Sequence, residues 1–454
     1  MHPFWILLVG MAVVIGGILV LRLHAVLALL FGALAVAALS PAQETIGERI
    51  AQGFAGTLEQ VGILIAMAAI IGTCLLESGA ADRLVRTALR WLGKERAPVA
   101  FMGSGFLLGI PVFFDTVFYL MIPLAKAMRL RTGTNYLFYV LSICAGGTMA
   151  HSLVPPTPGP LFMAGELGVD LGVMILVGCA IGLIASSAGY LYARWANGKF
   201  EIPLRESEAS LSQFENLARR EDKELPSLWL SATPILLPVI LIAATTILAP
   251  GAGEGPPTFG QSLLLTLGDK NIALILAAVI ALLMLLKATS GKQTVRATRD
   301  SLSTAGVIIL IIGAGGAFGR ALQQTGIGGE IQEVSTQYQI PVLLLAWVLT
   351  ALIRTAQGSA TVAMITAAGV FAGMADPAQL GFHPVYLAMA IGCGSKPIWW
   401  MNDSGFWVVA EMSGMTEQEA LKTLTPLAAT MGVVGLIATV VGAWLFPLVI
   451  AGPT

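Results

Sequence analysis

From Ala97 to Ala125 the chain is apolar with one formal charge, Asp115, and basic residues stand at both ends of the run. The run reads APVAFMGSGFLLGIPVFFDTVFYLMIPLA and is 29 residues long, whereas two passes through a bilayer need about 20 residues each plus a turn. Lys and Arg hold short loops in the cytoplasm, so Arg96 before the run and Lys126 after it require the segment to enter the membrane and turn back. A re-entrant hairpin leaves non-helical backbone at membrane depth. That is tolerated only where protein or a watery cavity satisfies the exposed N–H and C=O groups. The tip, Gly109 to Thr116, is therefore a candidate binding site.

The rest of the chain places this hairpin in a polytopic, all-α membrane protein. Of 454 residues 56% are hydrophobic and 11% charged, with mean hydropathy +0.82, a composition outside the range of soluble enzymes. The longest charged stretch, Arg194 to Lys223, is too short to build a core of its own. A net charge of −1 points to no nucleic-acid partner. The first apolar segment, Phe4 to Leu21, lacks a basic leader and a clear small-residue cleavage site, and reads as a retained span. Cys74, Cys144, Cys179 and Cys393 sit in apolar segments without metal-like spacing and read as reduced thiols; no metal or cofactor is expected.

One topology puts 20 of the 25 basic residues inside and both termini in the periplasm. Arg49, Lys270 and Arg320 fall outside, and Arg354 and Lys396 lie in apolar territory. The expected segments are helices at 3–21, 25–40 and 59–78, an amphipathic stretch at 80–96, the hairpin at 97–125, a broken segment at 136–168 and a helix at 172–193. A cytoplasmic linker, 194–228, separates this N-terminal half (1–193) from the C-terminal half (229–454). The latter reads as helices at 229–249, 271–287 and 303–322, an amphipathic stretch at 326–338, a hairpin at 341–375, a broken segment at 384–413 and a last helix at 425–450.

The halves repeat one another. LLESGAADRL at 75–84 is similar to ALQQTGIGGEI at 321–331, and the distance from Gly79 to Pro156, 77 residues, nearly equals the 76 from Gly326 to Asn402. The topology gives the two repeats opposite orientation, the arrangement of many secondary transporters with a midplane site. Each half then contributes a hairpin tip and an interrupted helix: GIPVFFDT (109–116) and HSLVPPTPGP (151–160), RTAQGSAT (354–361) and GSKPIWWMNDSG (394–405). Prolines cannot continue a helix, and Ser395, Asn402, Asp403 and Ser404 are cap residues that start a new one. Half-helix N-termini meeting at mid-membrane present free N–H groups and positive dipole ends, which suit a carboxylate. Ser, Thr, Asn and Gln beside them suit hydroxyls, so the implied solute is anionic and polyhydroxylated.

These four ordered motifs resemble those of the gluconate permease family, proton symporters for gluconate and related sugar acids, and the resemblance covers nearly the whole chain. The resemblance implies the ion-transporter superfamily fold with scaffold and transport subdomains, usually in a homodimer, in the bacterial inner membrane. Relatives that carry other substrates, including D-serine, leave the solute open. No G-x-x-x-x-G-K-[ST], HExxH or GxSxG is present, so uptake that draws on an ion gradient or runs as facilitated diffusion is expected rather than an ATPase or an enzyme. An anion channel and an intramembrane enzyme are the rival classes.

Individual residues read two ways. Asp115 is the proton carrier or a helix cap, and His151 a proton relay or a structural partner. Asp403 caps a helix and is a third candidate for the proton. Arg354 and Lys396 bind the solute carboxylate or pair with Asp403 or Asp115. Thr116, Thr157, Gln357, Ser359, Thr361, Ser395, Asn402 and Ser404 are hydroxyl ligands or satisfy their own turns. Trp399, Trp400 and Trp407 line a sugar pocket or pack.

Overall fold

Apolar runs broken by glycine, proline and cap residues fold, in the computed structural model, into helices joined by turns. The structure describes residues 2–40, 44–200, 202–205, 224–248, 259–338 and 341–448, and no strand occurs among them. The first half contains α1 (Pro3–Leu19), α2 (Ala25–Leu39), α3 (Ile46–Glu77), α4 (Ala80–Leu92), α5 (Ala97–Gly109), α6 (Phe114–Thr132), α7 (Tyr136–Leu153), α8 (Pro158–Glu166) and α9 (Leu171–Lys199). The second contains α10 (Leu228–Leu248), α11 (Phe259–Leu267), α12 (Lys270–Ala288), α13 (Gly291–Gln323), α14 (Ile327–Tyr338), α15 (Val342–Gln357), α16 (Ala360–Phe371), α17 (Val385–Gly394), α18 (Ser404–Ser413) and α19 (Glu417–Leu445). Among the described residues seven segments are long and apolar enough to cross a membrane, and the chain is a multi-pass membrane protein. By contrast α5, α15 and α16, at 13, 16 and 12 residues, are each too short to cross alone.

Several helices start earlier than hydropathy predicts. α3 begins at Ile46 rather than 59 and α13 at Gly291 rather than 303. Their first turns are polar, which hides them from an apolar-run criterion. Both are nucleated by capping boxes, Thr45 with Glu48 and Ser290 with Gln293. α19 begins at Glu417, not 425, through the same device, Thr416 with Glu419. α9 runs on to Lys199, so the first residues assigned to the linker are helical. The span Phe259–Leu267 was not expected as a helix. Most of the linker, 206–223, lies outside the described residues.

The two long helices α3 and α13 pack directly on each other. Glycines make this close crossing possible: a Cβ on Gly53 would stand 2.8 Å from Ala317 Cα. Arg49 stitches the crossing to its neighbours. It is 2% exposed, donates to Ala37 O (2.9 Å), Ser40 O (3.1 Å) and Ser40 Oγ (2.6 Å), and reaches Gln324 Oε1 (2.5 Å). Its charge thus sits on the negative end of α2.

The broken segment α7–α8 is the centre of the molecule. In its most apolar window 94% of residues are buried, against 33–50% in the other six spans. α5 crosses α7 through Gly105, Gly109, Gly146 and Gly147; a Cβ on Gly109 would meet Gly147 O at 2.8 Å. α9 and α19 pack on α7 as well, and α17 packs on both α15 and α19.

Candidate functional site

The four breaks fall where proline, glycine and cap residues predict them. α5 and α6 are separated by residues 110–113, α7 and α8 by 154–157, α15 and α16 by Gly358 and Ser359, and α17 and α18 by 395–403. They do not contribute alike. A cavity of about 400 Å³ is lined by Phe113, Phe114 and Asp115 of the first tip, Thr148 and His151 of α7, Arg354 and residues 357–361 of the second tip, and Ser395, Lys396, Trp399 and residues 402–405 of the second break. That volume is in the range of small-molecule sites.

The second tip and second break are bonded into one unit. Arg354, 3% exposed at the end of α15, donates through Nε to Ser395 O (3.2 Å), through Nη1 to Gly358 O and through Nη2 to Asp403 Oδ2. Asp403 is the N-cap of α18, and its Oδ1 accepts from the Phe406 N–H (3.1 Å) and from Trp399 Nε1 (3.1 Å). From the unwound stretch, Asn402 Nδ2 (2.8 Å) and Trp400 Nε1 (3.2 Å) both donate to Thr355 O at the end of α15. Gly358 has φ +88°, and its Cα lies against the Asn402 carbonyl, so a side chain is excluded there on both counts. The stretch also holds Ile398 at φ 58°, a left-handed conformation costly for a β-branched residue.

Three helix N-termini point their first turns at the cavity. Ser359 caps α16, its Oγ accepting from the Val362 N–H (3.3 Å), and Asp403 caps α18. Phe113 stands at the N-cap of α6 with no side-chain bond. The earlier amides of each first turn have no intrahelical acceptor and are available to an anion. Gln357 Nε2 donates to Ser359 O (2.6 Å) and Ser395 Oγ to Gly392 O (2.7 Å), whereas Thr361 makes no hydrogen bond with any described residue.

The titratable groups divide sharply. Lys396, 7% exposed, donates from Nζ to Thr148 O (2.9 Å), tying the second break to α7. His151 packs against the Phe113 ring at 5.8 Å between centroids, and its buried Nδ1 has no hydrogen-bond partner among the described residues. Asp115, half-buried at the cavity wall, forms no hydrogen bond or ion pair with any described residue. Cap and charge are thus separated: Asp403 is fully engaged in capping and pairing, and Asp115 is bare.

Eleven of the thirteen site residues read from the sequence meet at this cavity: Asp115, His151, Arg354, Gln357, Ser359, Thr361, Ser395, Lys396, Asn402, Asp403 and Ser404. Thr116 and Thr157 do not. Thr157 is 2% exposed and turns its hydroxyl back onto Val154 O (2.7 Å). The first break instead faces an apolar gap that Pro155 and Pro156 share with Pro111 and with Pro234 and Pro238 of α10. Of the tryptophans, Trp399 lines the cavity, packed edge-on to Phe114 at 5.6 Å, while Trp407 Nε1 donates to Met401 O (2.7 Å). Thr148 was missed. It lies one turn before His151 on the same face of α7, a spacing that would have found it.

Comparison with known proteins agrees with this architecture. A family model described as GntP family permease matches residues 2–445. The chain is 34% identical to a gluconate permease of Pseudomonas aeruginosa, with 96% of this chain and 97% of that protein covered. It is 31% identical to a low-affinity gluconate transporter of Escherichia coli, covering 92% of each. It is 34% identical to an uncharacterized permease of Haemophilus influenzae, covering 90% and 86%. Among solved structures, the YdaH transporter of Alcanivorax borkumensis superposes with TM-score 0.67 at 17% identity, over 94% of this chain and 98% of that one. MtrF of Neisseria gonorrhoeae gives 0.61 at 17% identity, over 100% and 96%. These two likenesses establish the fold.

Proposed function

Because the chain belongs to the GntP family of permeases, we propose that it is a secondary active symporter that takes up gluconate or a related sugar acid with protons across the bacterial inner membrane by alternating access. The observation that carries this reading is the pairing, in one cavity, of a hydrogen-bonding wall from the second half with an unpaired carboxylate, Asp115, from the first. The solute carboxylate is drawn to the first-turn amides of α16 and α18 and to Lys396. Its hydroxyls meet Gln357, Ser359, Thr361, Asn402 and Ser404, and its C–H face lies on Phe113, Phe114 and Trp399. Arg354 and Ser395 hold the second tip and break together beneath it. Asp115 carries the proton, with His151 beside it. In this reading the two halves are inverted repeats with re-entrant hairpins, both termini are periplasmic, and the protein works as a homodimer.

Proteoliposomes test it. Labelled gluconate, D-serine and a dicarboxylate are each offered with and without an inward proton gradient, followed by counterflow. Saturable, gradient-driven accumulation of a sugar acid, with counterflow, is expected. Non-saturating flux without counterflow makes the protein a channel, and chemical conversion of the solute makes it an enzyme. Asp115→Asn keeps the size of the side chain but cannot titrate. It is expected to retain counterflow and to lose accumulation and the response to pH; full proton-driven accumulation in this variant moves the carrier to His151 or Asp403.

A further inference from the structure

Two carboxylates from opposite halves of the chain face one backbone position. A Cβ on Gly405 would lie 2.9 Å from Asp403 Oδ1, 3.1 Å from Asp115 Oδ1 and 3.4 Å from the Trp399 ring. The two oxygens are therefore no more than about 6 Å apart, close enough for each charge to act on the other.

We propose that Gly405 is a positioning residue for ion coupling: by having no side chain it sets Asp115 against Asp403, so that the charge on Asp115 acts through Asp403 on Arg354. The inference rests on the reading of Asp115 as the coupling group and adds the route by which its charge reaches the solute ligands. Asp403 has both oxygens engaged, by Arg354, Trp399 and the Phe406 amide, and Arg354 in turn holds Gly358 O and Ser395 O. A charged Asp115 repels Asp403 and competes for Arg354. A protonated Asp115 leaves the Arg354–Asp403 pair to close the second tip onto the second break. The other charged or titratable groups at this cavity are His151 from α7 and Lys396 after α17; α4 and α5, which also pack on α6, bring none to it.

Trp399 is a built-in reporter, since its indole donates to Asp403 and its ring lies beside Gly405. Emission of the purified full chain in detergent, without solute, is titrated from about pH 4 to pH 9, and Trp399→Phe identifies the contribution of this one among nine tryptophans. The expected result is one pH-dependent step in the Trp399 contribution, lost in Asp115→Asn. In Gly405→Ala the added methyl parts the carboxylates and the step moves to lower pH by about half a unit or more. No step, a step that survives Asp115→Asn, or an unmoved step in Gly405→Ala overturns the proposal. Should Gly405→Ala not fold, Asp115→Glu lengthens the acid without altering α18, and an unmoved step there overturns it equally. Because the titration uses no solute, failure of the transport reading is seen separately, in the proteoliposome assay.

Discussion

The two tip-and-break pairs, built from the same helix–interruption–helix pattern, are held together by different forces. In the first half α5 and α7 meet through glycines, the tip ends on Phe113 against His151, and the break is a proline turn buried against apolar side chains. In the second half the tip and the break are joined by Arg354, Trp400 and Asn402, each donating to a backbone carbonyl of the other element, and Arg354 also to Asp403. The difference has a chemical use. A wall without competing donors leaves Asp115 and His151 free of local partners, whereas a wall organised by its own hydrogen bonds fixes the direction in which Thr361 and the first-turn amides present themselves.

The largest effect is expected where the hydrogen-bonded junction has its one buried ion pair. Arg354→Ala leaves Asp403 without its cation and two carbonyls without a donor. Removing one partner of a buried pair costs about 3–5 kcal/mol. Arg354→Lys keeps the charge but not the planar fork that reaches three acceptors. We expect Arg354→Ala to abolish binding and lower the unfolding temperature, and Arg354→Lys to fold while binding poorly, both measured by thermal unfolding in detergent with and without solute. Wild-type binding in Arg354→Ala would remove the hydrogen-bonded junction from the solute site.

A smaller and cleaner effect belongs to Thr361, which lines the cavity and bonds to no described residue. In the proposed reading its hydroxyl meets the solute, so Thr361→Ala is expected to subtract that contact and little else. A hydrogen bond between neutral hydroxyls contributes about 0.5–1.5 kcal/mol, or about two- to tenfold in affinity. The KM for uptake should rise by that factor with protein abundance unchanged. An unaltered KM would reduce Thr361 to a helix-start residue.

What could be read from the sequence was where the helices stop. Pro155, Pro156, Gly358 and the Asn402–Asp403–Ser404 run interrupt helices for local reasons, and local reasons are visible in residue order. Which way each interruption faces was not visible. Thr157 and Ser359 both precede a helix, yet one is buried with its hydroxyl turned back onto Val154 O and the other lines the cavity. That choice is made by long-range packing, and in a chain buried on all sides, apolar periodicity carries no face to read. The first turns of α3 and α13 were hidden for a different reason: they are polar, and the local capping boxes that start them leave no mark on hydropathy.

Helix register, rather than residue type, accounts for the smallest expected effect. Counted from the N-caps Phe113 and Ser359, Asp115 and Thr361 occupy the same second position of α6 and α16. Thr116, one residue further on, turns about 100° away around the helix. It resembles Thr361 chemically, which is why it read as a ligand, but its register places it off the cavity wall, among the half-buried residues of α6. Thr116→Ala therefore removes no solute contact and replaces a β-branched residue in a first turn, a change worth no more than about 0.5 kcal/mol. KM, measured in the same proteoliposomes as for Thr361→Ala, should stay at the wild-type value. A rise matching that of Thr361→Ala would mean that the two tips engage the solute alike, and the division between a titrating wall and a hydrogen-bonding wall would fail.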